Sequence, residues 1–231
     1  MDERLTRRGT LLRLGGLAGA VLAGGAWKAR ETEDAAGAGP AGVASGAVSC
    51  VLAPEQTEGP YYVPGERVRR NITEGRPGSP LTLHLTVVDA STCRPIKGAA
   101  VDIWHCDAGG VYSGFGQGSG RAFLRGVQRT NAKGVATFQT IYPGWYPGRT
   151  VHIHVKVHVG GSVVHTGQLY FRDAQTDAVY RKQPYRKRPR RTTRNASDAI
   201  FRNGGKRSLL SVRRRRGGGH VAGIAMGVVR R

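Results

Sequence analysis

The chain has 231 residues, of which 36 are Lys or Arg and 15 are Asp or Glu, giving a formal net charge of +21 at pH 7. Because 39% of the residues are hydrophobic, the chain can bury a core without disulfide staples, and it is predicted to form a single compact domain. Its three cysteines, Cys50, Cys93 and Cys106, show neither zinc-finger nor redox spacing. One disulfide and one free thiol fit this count, but the sequence does not reveal the pairing.

The excess positive charge is concentrated at the C-terminal end. Residues 181–231 contain 17 Lys and Arg and one acid, Asp198, which leaves 19 basic and 14 acidic residues for the rest of the chain. Runs such as 186–191 and 213–216 are typical of solvated faces or mobile segments. We therefore expect residues 181–216 to be a basic and mobile part of the domain, and we expect no nucleic-acid partner despite the net charge.

The N-terminal segment has the layout of an export signal. Arg4, Arg7 and Arg8 precede an apolar run of small residues from Leu14 to Ala26. The adjacent arginines resemble a twin-arginine leader, which exports folded proteins. The apolar run is shorter than the roughly 20 residues that span a bilayer, so we expect cleavage rather than a stable membrane anchor. The Ala/Gly-rich stretch 31–46 indicates a linker, so residues 1–49 are predicted to be signal and linker and residues 50–231 the domain.

The body of the chain consists of short predicted strands separated by Gly/Pro turns. Apolar and polar residues alternate over 81–87, a turn follows over 89–98, and further strands are predicted at 100–104, 135–141, 151–159, 162–171 and 219–229. No long segment has helical periodicity. The pattern favours an all-β fold, an antiparallel β-sandwich, over alternating strands and helices.

Two histidines on one predicted strand are candidate metal ligands. The period of two places His152 and His154 on the same face, about 7 Å apart at Cα, while Val151, Ile153, Val155 and Val157 point into the core. Such a pair occurs by chance and suits zinc, copper or iron equally.

Two tyrosines favour iron over the other metals. Tyr112 lies in a Gly-rich turn and Tyr146 precedes the histidine strand. A phenol with a pKa near 10 ionises at neutral pH only beside a strong Lewis acid or a positive charge, and ferric iron supplies this more readily than zinc. Arg149 is a permanent cation three residues before His152, and it could stabilise negative charge on a bound substrate.

These motifs together resemble the intradiol ring-cleavage dioxygenases. The resemblance rests on residues 58–62 (Glu-Gly-Pro-Tyr-Tyr), 104–112, 146–154 and 168–171 (Gln-Leu-Tyr-Phe), in the order found in that family. It implies an immunoglobulin-like or transthyretin-like β-sandwich with long active-site loops. It also implies one ferric ion held by Tyr112, Tyr146, His152 and His154.

The resemblance further implies catalytic roles and a reaction. Arg149 and Gln168 would line the substrate pocket, and His158 would be structural. A catechol would displace Tyr146, and the released tyrosinate would accept a substrate proton. Both atoms of dioxygen would enter the ring to give a cis,cis-muconate-type product, without an organic cofactor.

Two other interpretations remain open. A metal-free transthyretin-like binding module could dock on an acidic polymer or membrane surface through its basic C-terminal region. Alternatively, the enzyme could use that region as a nucleic-acid or polyanion anchor. The sequence does not distinguish catechol, protocatechuate, hydroxyquinol or lignin-derived catechols as substrates, and it does not predict the oligomeric state.

Overall fold

The computed structural model describes residues 52–229, and β-strands dominate it. The predicted export signal and linker, residues 1–49, lie outside the described residues. The strands are β1 (Pro80–Asp89), β2 (Ala100–Trp104), β3 (Arg125–Arg129), β4 (Val135–Ile141), β5 (His152–Val159), β6 (Ser162–Tyr170), β7 (Ser211–Arg214) and β8 (His220–Val228). The two α-helices described are α1 (Asp173–Tyr180) and α2 (Ala199–Arg202), and 3-10 turns lie at Gly116–Gly118, Tyr185–Lys187, Asn195–Ser197 and Gly205–Ser208.

The strands form two sheets of four, in the orders β4-β1-β8-β7 and β3-β2-β5-β6. The all-β sandwich predicted from the sequence is confirmed. Of the six strand pairs within the described residues, five are antiparallel, while β1 and β8 run parallel over Leu81–Asp89 and His220–Val228. Parallel neighbours need a long connection, and here strands β2 to β7 all lie between β1 and β8 in the chain.

The core lies between the two sheets. On β1, β2 and β5, alternate residues are buried against the opposite sheet because successive side chains of a strand point to opposite faces. The predicted inward positions of β5 are confirmed, since Val151, Ile153, Val155 and Val157 all belong to this core. The histidines of β5 therefore lie on the other face of the sheet β3-β2-β5-β6.

The basic segment 181–216 packs against the loop that follows β4. Tyr185 is buried and donates its hydroxyl hydrogen to the Tyr142 carbonyl at 2.6 Å. The Arg188 guanidinium lies over the Trp145 ring at 4.6 Å and donates to the Trp145 carbonyl at 2.7 Å. The Arg191 side chain is only 4% exposed and pairs with Asp173 and Asp177 of α1. Some arginines of the basic segment therefore make contacts within the fold.

Two further features bear on the sequence predictions. Cys93 is disulfide-bonded and Cys106 is a free, buried thiol, which matches one disulfide and one free cysteine. Within residues 52–229, no helix is long and apolar enough to cross a membrane.

Candidate metal and substrate site

The strand register brings chemically active side chains into one row. Trp104 of β2 lies opposite His154 of β5, and His154 lies opposite Gln168 of β6. One pair further along, His152 lies opposite Tyr170. These side chains share the face of the sheet that points away from the core, so the candidate site is built on the outer surface of one sheet and covered by loops.

The two histidines converge as predicted. Their Nε2 atoms are 3.0 Å apart, and the side chains are almost completely buried. His152 donates from Nδ1 to the Thr150 carbonyl at 2.6 Å. This hydrogen bond fixes the tautomer and leaves a lone pair on Nε2, which is the arrangement that a metal-binding imidazole requires.

Both predicted tyrosines reach the same nitrogen. The hydroxyl oxygen of Tyr146 is 3.1 Å from His152 Nε2, and that of Tyr112 is 3.5 Å away. Tyr112 comes from the loop between β2 and β3 and is buried, whereas Tyr146 comes from the loop between β4 and β5 and is partly exposed. The four predicted ligands therefore meet at one point from three separate segments of the chain.

The loop that carries Tyr112 is shaped by hydrogen bonds and by a close approach of two backbones. Asp107 Oδ1 accepts from the backbone N–H of Gly109 at 2.8 Å and of Val111 at 2.9 Å. Gly110 has φ +88°, and a Cβ there would lie 2.4 Å from the Trp145 carbonyl oxygen. Glycine is required at this position because it tolerates both the positive φ and the contact. The two tyrosine loops are thereby held against each other.

Burial keeps all four groups uncharged in the protein alone. It raises the pKa of Tyr112 well above the ordinary value and that of Tyr146 to about 12. It also lowers the pKa of His152 to about 3 and that of His154 well below the ordinary value. The site thus presents two neutral imidazoles and two phenols, and a bound multivalent cation would favour phenol ionisation.

This donor set fits ferric iron. Within the part of the chain that the structure describes, no group of three or more His, Cys, Asp or Glu side chains converges to hold an ion. The thiolates and carboxylates that commonly complete zinc and calcium sites are therefore not provided at this position. Imidazole suits iron, and a phenol becomes a strong ligand once a trivalent cation lowers its pKa.

Arg149 and Gln168 adjoin the histidines and contact each other. The Arg149 guanidinium donates to Gln168 Oε1, and Gln168 Nε2 donates to the Thr57 carbonyl at 3.0 Å. Tyr170 donates its hydroxyl hydrogen to the same Gln168 oxygen at 3.1 Å. The two residues predicted to line the substrate pocket are thus in contact with each other beside the histidines, whereas His158 lies toward the far, partly exposed end of β5.

The segment 58–62 forms an aromatic wall over the site. Tyr61 stacks on Tyr112 with ring centroids 4.2 Å apart, and a Cβ on Gly59, which has φ +71°, would lie 3.2 Å from His154 Cε1. Lys156 of β5 anchors the segment through an ion pair with Glu58 and a position 3.7 Å above the Tyr62 ring. The sequence motif had identified this segment without assigning its side chains a role.

Asp198, which was not predicted from the sequence, also belongs to the site, because it accepts a hydrogen bond from Arg149 Nε at 2.9 Å. The available signal was compositional, since Asp198 is the single acid among residues 181–231.

Comparisons with known proteins identify the family to which the chain is similar. A family model described as "Dioxygenase" matches residues 57–179, more than half of the chain. The structure resembles an intradiol ring-cleavage dioxygenase from Tetranychus urticae, with 38% identity, a TM-score of 0.75 and coverage of 78% of this chain and 95% of that one. It also resembles the dioxygenase domain of a dioxygenase carbohydrate-binding protein fusion from Streptomyces sp. SirexAA-E, with 36% identity, a TM-score of 0.60 and coverage of 77% and 98%.

Among curated proteins, catechol 1,2-dioxygenase 1 of Acinetobacter lwoffii is 35% identical over 100 residues, which is 40% of this chain and 32% of that protein. The chain spans about half or less of the length of the curated relatives it matches.

Proposed function

Because the chain belongs to the intradiol ring-cleavage dioxygenase family, we propose that it opens catechol-type rings between the two hydroxyls. Both atoms of dioxygen enter the product, which is of the cis,cis-muconate type. The observation that carries this proposal is the convergence of two phenols on two facing imidazoles, with Tyr146 and Tyr112 at 3.1 and 3.5 Å from His152 Nε2.

In this proposal Tyr112, Tyr146, His152 and His154 hold ferric iron. When bound, the iron would supply Lewis acidity that ionises the phenols and would activate a catecholate toward dioxygen. The protein contributes two different tyrosines. Tyr112 is buried beneath Tyr61, whereas Tyr146 is partly exposed. Tyr146 is therefore the better placed of the two to make room for a substrate and to accept a substrate proton at its phenolic oxygen.

Arg149 and Gln168 act on the substrate side. The Arg149 guanidinium is a permanent cation next to the histidines, so it can stabilise negative charge that develops on the ring. Gln168 fixes one end of that guanidinium and is itself held by Thr57 and Tyr170. Positioned charge of this kind needs no reorganisation during the reaction, which is why it lowers a barrier effectively.

The visible absorption spectrum of the purified protein tests the metal assignment. Ferric iron bound by ionised tyrosines is expected to give a red charge-transfer band, and addition of catechol without oxygen should shift it. Catechol is the appropriate first ligand because it occurs in the name of a curated relative. A protein that stays colourless after incubation with ferric iron would remove the site and favour a metal-free sandwich that binds acidic polymers.

We also propose export through residues 1–49. The supporting observation is the pair Arg7 and Arg8 ahead of the apolar run 14–26. Fusing residues 1–49 to a reporter enzyme should place the reporter outside the cytoplasm, and the double variant R7K/R8K should retain it inside. Export that is unaffected by R7K/R8K would argue against a twin-arginine route.

A further inference from the structure

The basic C-terminal segment places one carboxylate beside the site. Asp198 is the single acid among residues 181–231, and its side chain is only 1% exposed. Aspartate is rarely buried so completely unless it is paired. With many arginines near it in the sequence, Asp198 could have formed a surface ion pair, but it points inward to a partner outside its own segment.

The two carboxylate oxygens of Asp198 serve different structures. Oδ1 accepts from the backbone N–H of Ile200 at 2.8 Å and of Phe201 at 3.0 Å, which caps helix α2. Oδ2 accepts from Arg149 Nε at 2.9 Å and from the backbone N–H of Thr150 at 2.8 Å. Burial acts to raise the pKa of Asp198, but these hydrogen bonds and the Arg149 charge outweigh it, so that the pKa lies below its ordinary value. The carboxylate is therefore charged at neutral pH.

Arg149 is consequently held from two sides. Asp198 binds its Nε, and Gln168, which lies opposite His154 in the sheet, accepts from one of its terminal nitrogens. An arginine side chain has many rotamers, so fixing its guanidinium in one orientation costs conformational entropy. Asp198 and Gln168 already fix the guanidinium in the resting protein, so this entropy cost is met before the substrate binds.

We propose that Asp198 is a positioning residue that orients the Arg149 guanidinium toward the bound catechol. This inference rests on the proposed function. The basic segment thereby has a specific role, because residues 195–201 bind the loop that leads into β5. Asp198 accepts hydrogen bonds from Arg149 and from the Thr150 N–H, and Asn195 Oδ1 accepts from the Thr150 hydroxyl at 2.6 Å.

A double-mutant cycle separates this role from a purely structural one. Asparagine is an equally good helix N-cap, so D198N keeps the cap, whereas its amide nitrogen cannot accept the hydrogen bonds that Oδ2 accepts from Arg149 and from the Thr150 N–H. We expect D198N to lower kcat for catechol by roughly 10- to 100-fold, the range that a small misplacement of a catalytic group produces, with a change in KM of less than about threefold. In the R149A background the same substitution should lower kcat by less than about twofold, because the group it positions is gone.

Two further variants complete the experiment. D198E, which restores a carboxylate, should recover part of the kcat lost in D198N. D177N is the matched control, because Asp177 also pairs with arginines of the basic segment, Arg191 and Arg194, without touching Arg149. Its kcat should stay within twofold of the wild type.

Equal losses of kcat from D198N in both backgrounds would overturn the positioning role, because the effect would then not pass through Arg149. A wild-type protein that opens no catechol would sink the proposed function instead. In that case the same cycle is measured on the anaerobic Kd for catechol, where non-additivity supports the positioning role and additivity overturns it.

Discussion

At the scale of single residues, Tyr112 and His152 are the groups on which the iron assignment depends most. Losing an outer-shell partner of a metal site costs 10- to 100-fold in affinity or activity, so losing a direct ligand should cost at least about 100-fold. We expect Y112F and H152A to bind ferric iron at least 100-fold more weakly and to lose turnover, as measured by iron content after dialysis and by catechol consumption.

The matched control is H158A, because His158 lies on the same strand outside the cluster. It should retain iron and activity. Normal activity in Y112F or H152A would remove the site assignment.

The buried carboxyl group of Asp102 makes the stability of the protein depend on pH. It is buried on β2, and burial, followed by the nearby Glu66 charge, raises its pKa to about 7, above the value of 3.8 expected when unfolded. The folded state therefore binds a proton more tightly than the unfolded state. Stability contributed by this group is present below pH 4 and is lost as the pH rises to about 7.

The variant D102N lacks this titration. Its free energy of unfolding relative to the wild type should increase between pH 4 and pH 7, by on the order of 2–4 kcal/mol, and then remain constant. Urea unfolding of both proteins at pH 4 and pH 8 measures this. A difference that is independent of pH would show that Asp102 is ionised normally in the folded state.

The sequence predicted those site residues whose arrangement depends on neighbours within one strand. It did not predict contacts between positions far apart in the chain. His152 and His154 were identified as a pair because strand periodicity alone places them on one face. The contact between Arg149 and Asp198 joins positions 49 apart in the sequence, and the stacking of Tyr61 on Tyr112 joins positions 51 apart. No local pattern encodes such contacts, and only the folded chain reveals them.

At the scale of elements, the segment 58–62 is fixed to β5 through Lys156. Removing a partner from a buried ion pair costs 3–5 kcal/mol, but Glu58 is 39% exposed and can be rehydrated. We therefore expect K156M to lower the free energy of unfolding by about 1–3 kcal/mol and to raise KM for catechol, because the wall that carries Tyr61 loosens.

The control for K156M is K133M, which alters an exposed lysine and should stay within about 0.5 kcal/mol of the wild type. An unchanged KM in K156M would show that Lys156 has no influence on the site.

The strands that the sequence predicted are those with clear apolar alternation. The bounds predicted for β2 and β4 agree with the structure, and those for β1, β5, β6 and β8 agree within two residues. Strands β3 and β7 were missed because Arg-Gly-Val-Gln-Arg and Ser-Val-Arg-Arg carry few apolar residues. Arg125 of β3 is nevertheless buried, where it donates to Ser113 and Tyr61. In β3 these tertiary contacts outweighed local propensity.

At the scale of the whole molecule, the C-terminal region belongs to the fold. Strand β8 lies between β1 and β7, and its Ala222, Met226 and Val228 are buried in the core. Deleting residues 211–231 would leave β1 with an unpaired edge over nine positions. We expect this truncation to be insoluble or unfolded, as judged by circular dichroism and gel filtration. A truncated protein that unfolds cooperatively at the wild-type urea midpoint would contradict this.

The exposed arginines near the tip of the β7–β8 hairpin can be substituted without unfolding the protein. Residues 214–216 are all exposed, so the triple variant R214Q/R215Q/R216Q should fold and turn over catechol like the wild type. It should elute from a heparin column at lower salt, because fewer cations interact with the polyanion. Unchanged elution would place polyanion affinity elsewhere on the molecule.

We propose that this chain breaks the carbon–carbon bond between the two hydroxyl-bearing carbons of a catechol and adds one atom of dioxygen to each of them, at the site formed by Tyr112, Tyr146, His152 and His154. The most direct measurement is mass spectrometry of the product formed from catechol by the iron-loaded protein under isotopically labelled dioxygen. We predict a cis,cis-muconate that carries two labelled oxygen atoms and is absent with Y112F. A semialdehyde product from cleavage beside the hydroxyls, or no product from protein shown to contain iron, would contradict this proposal.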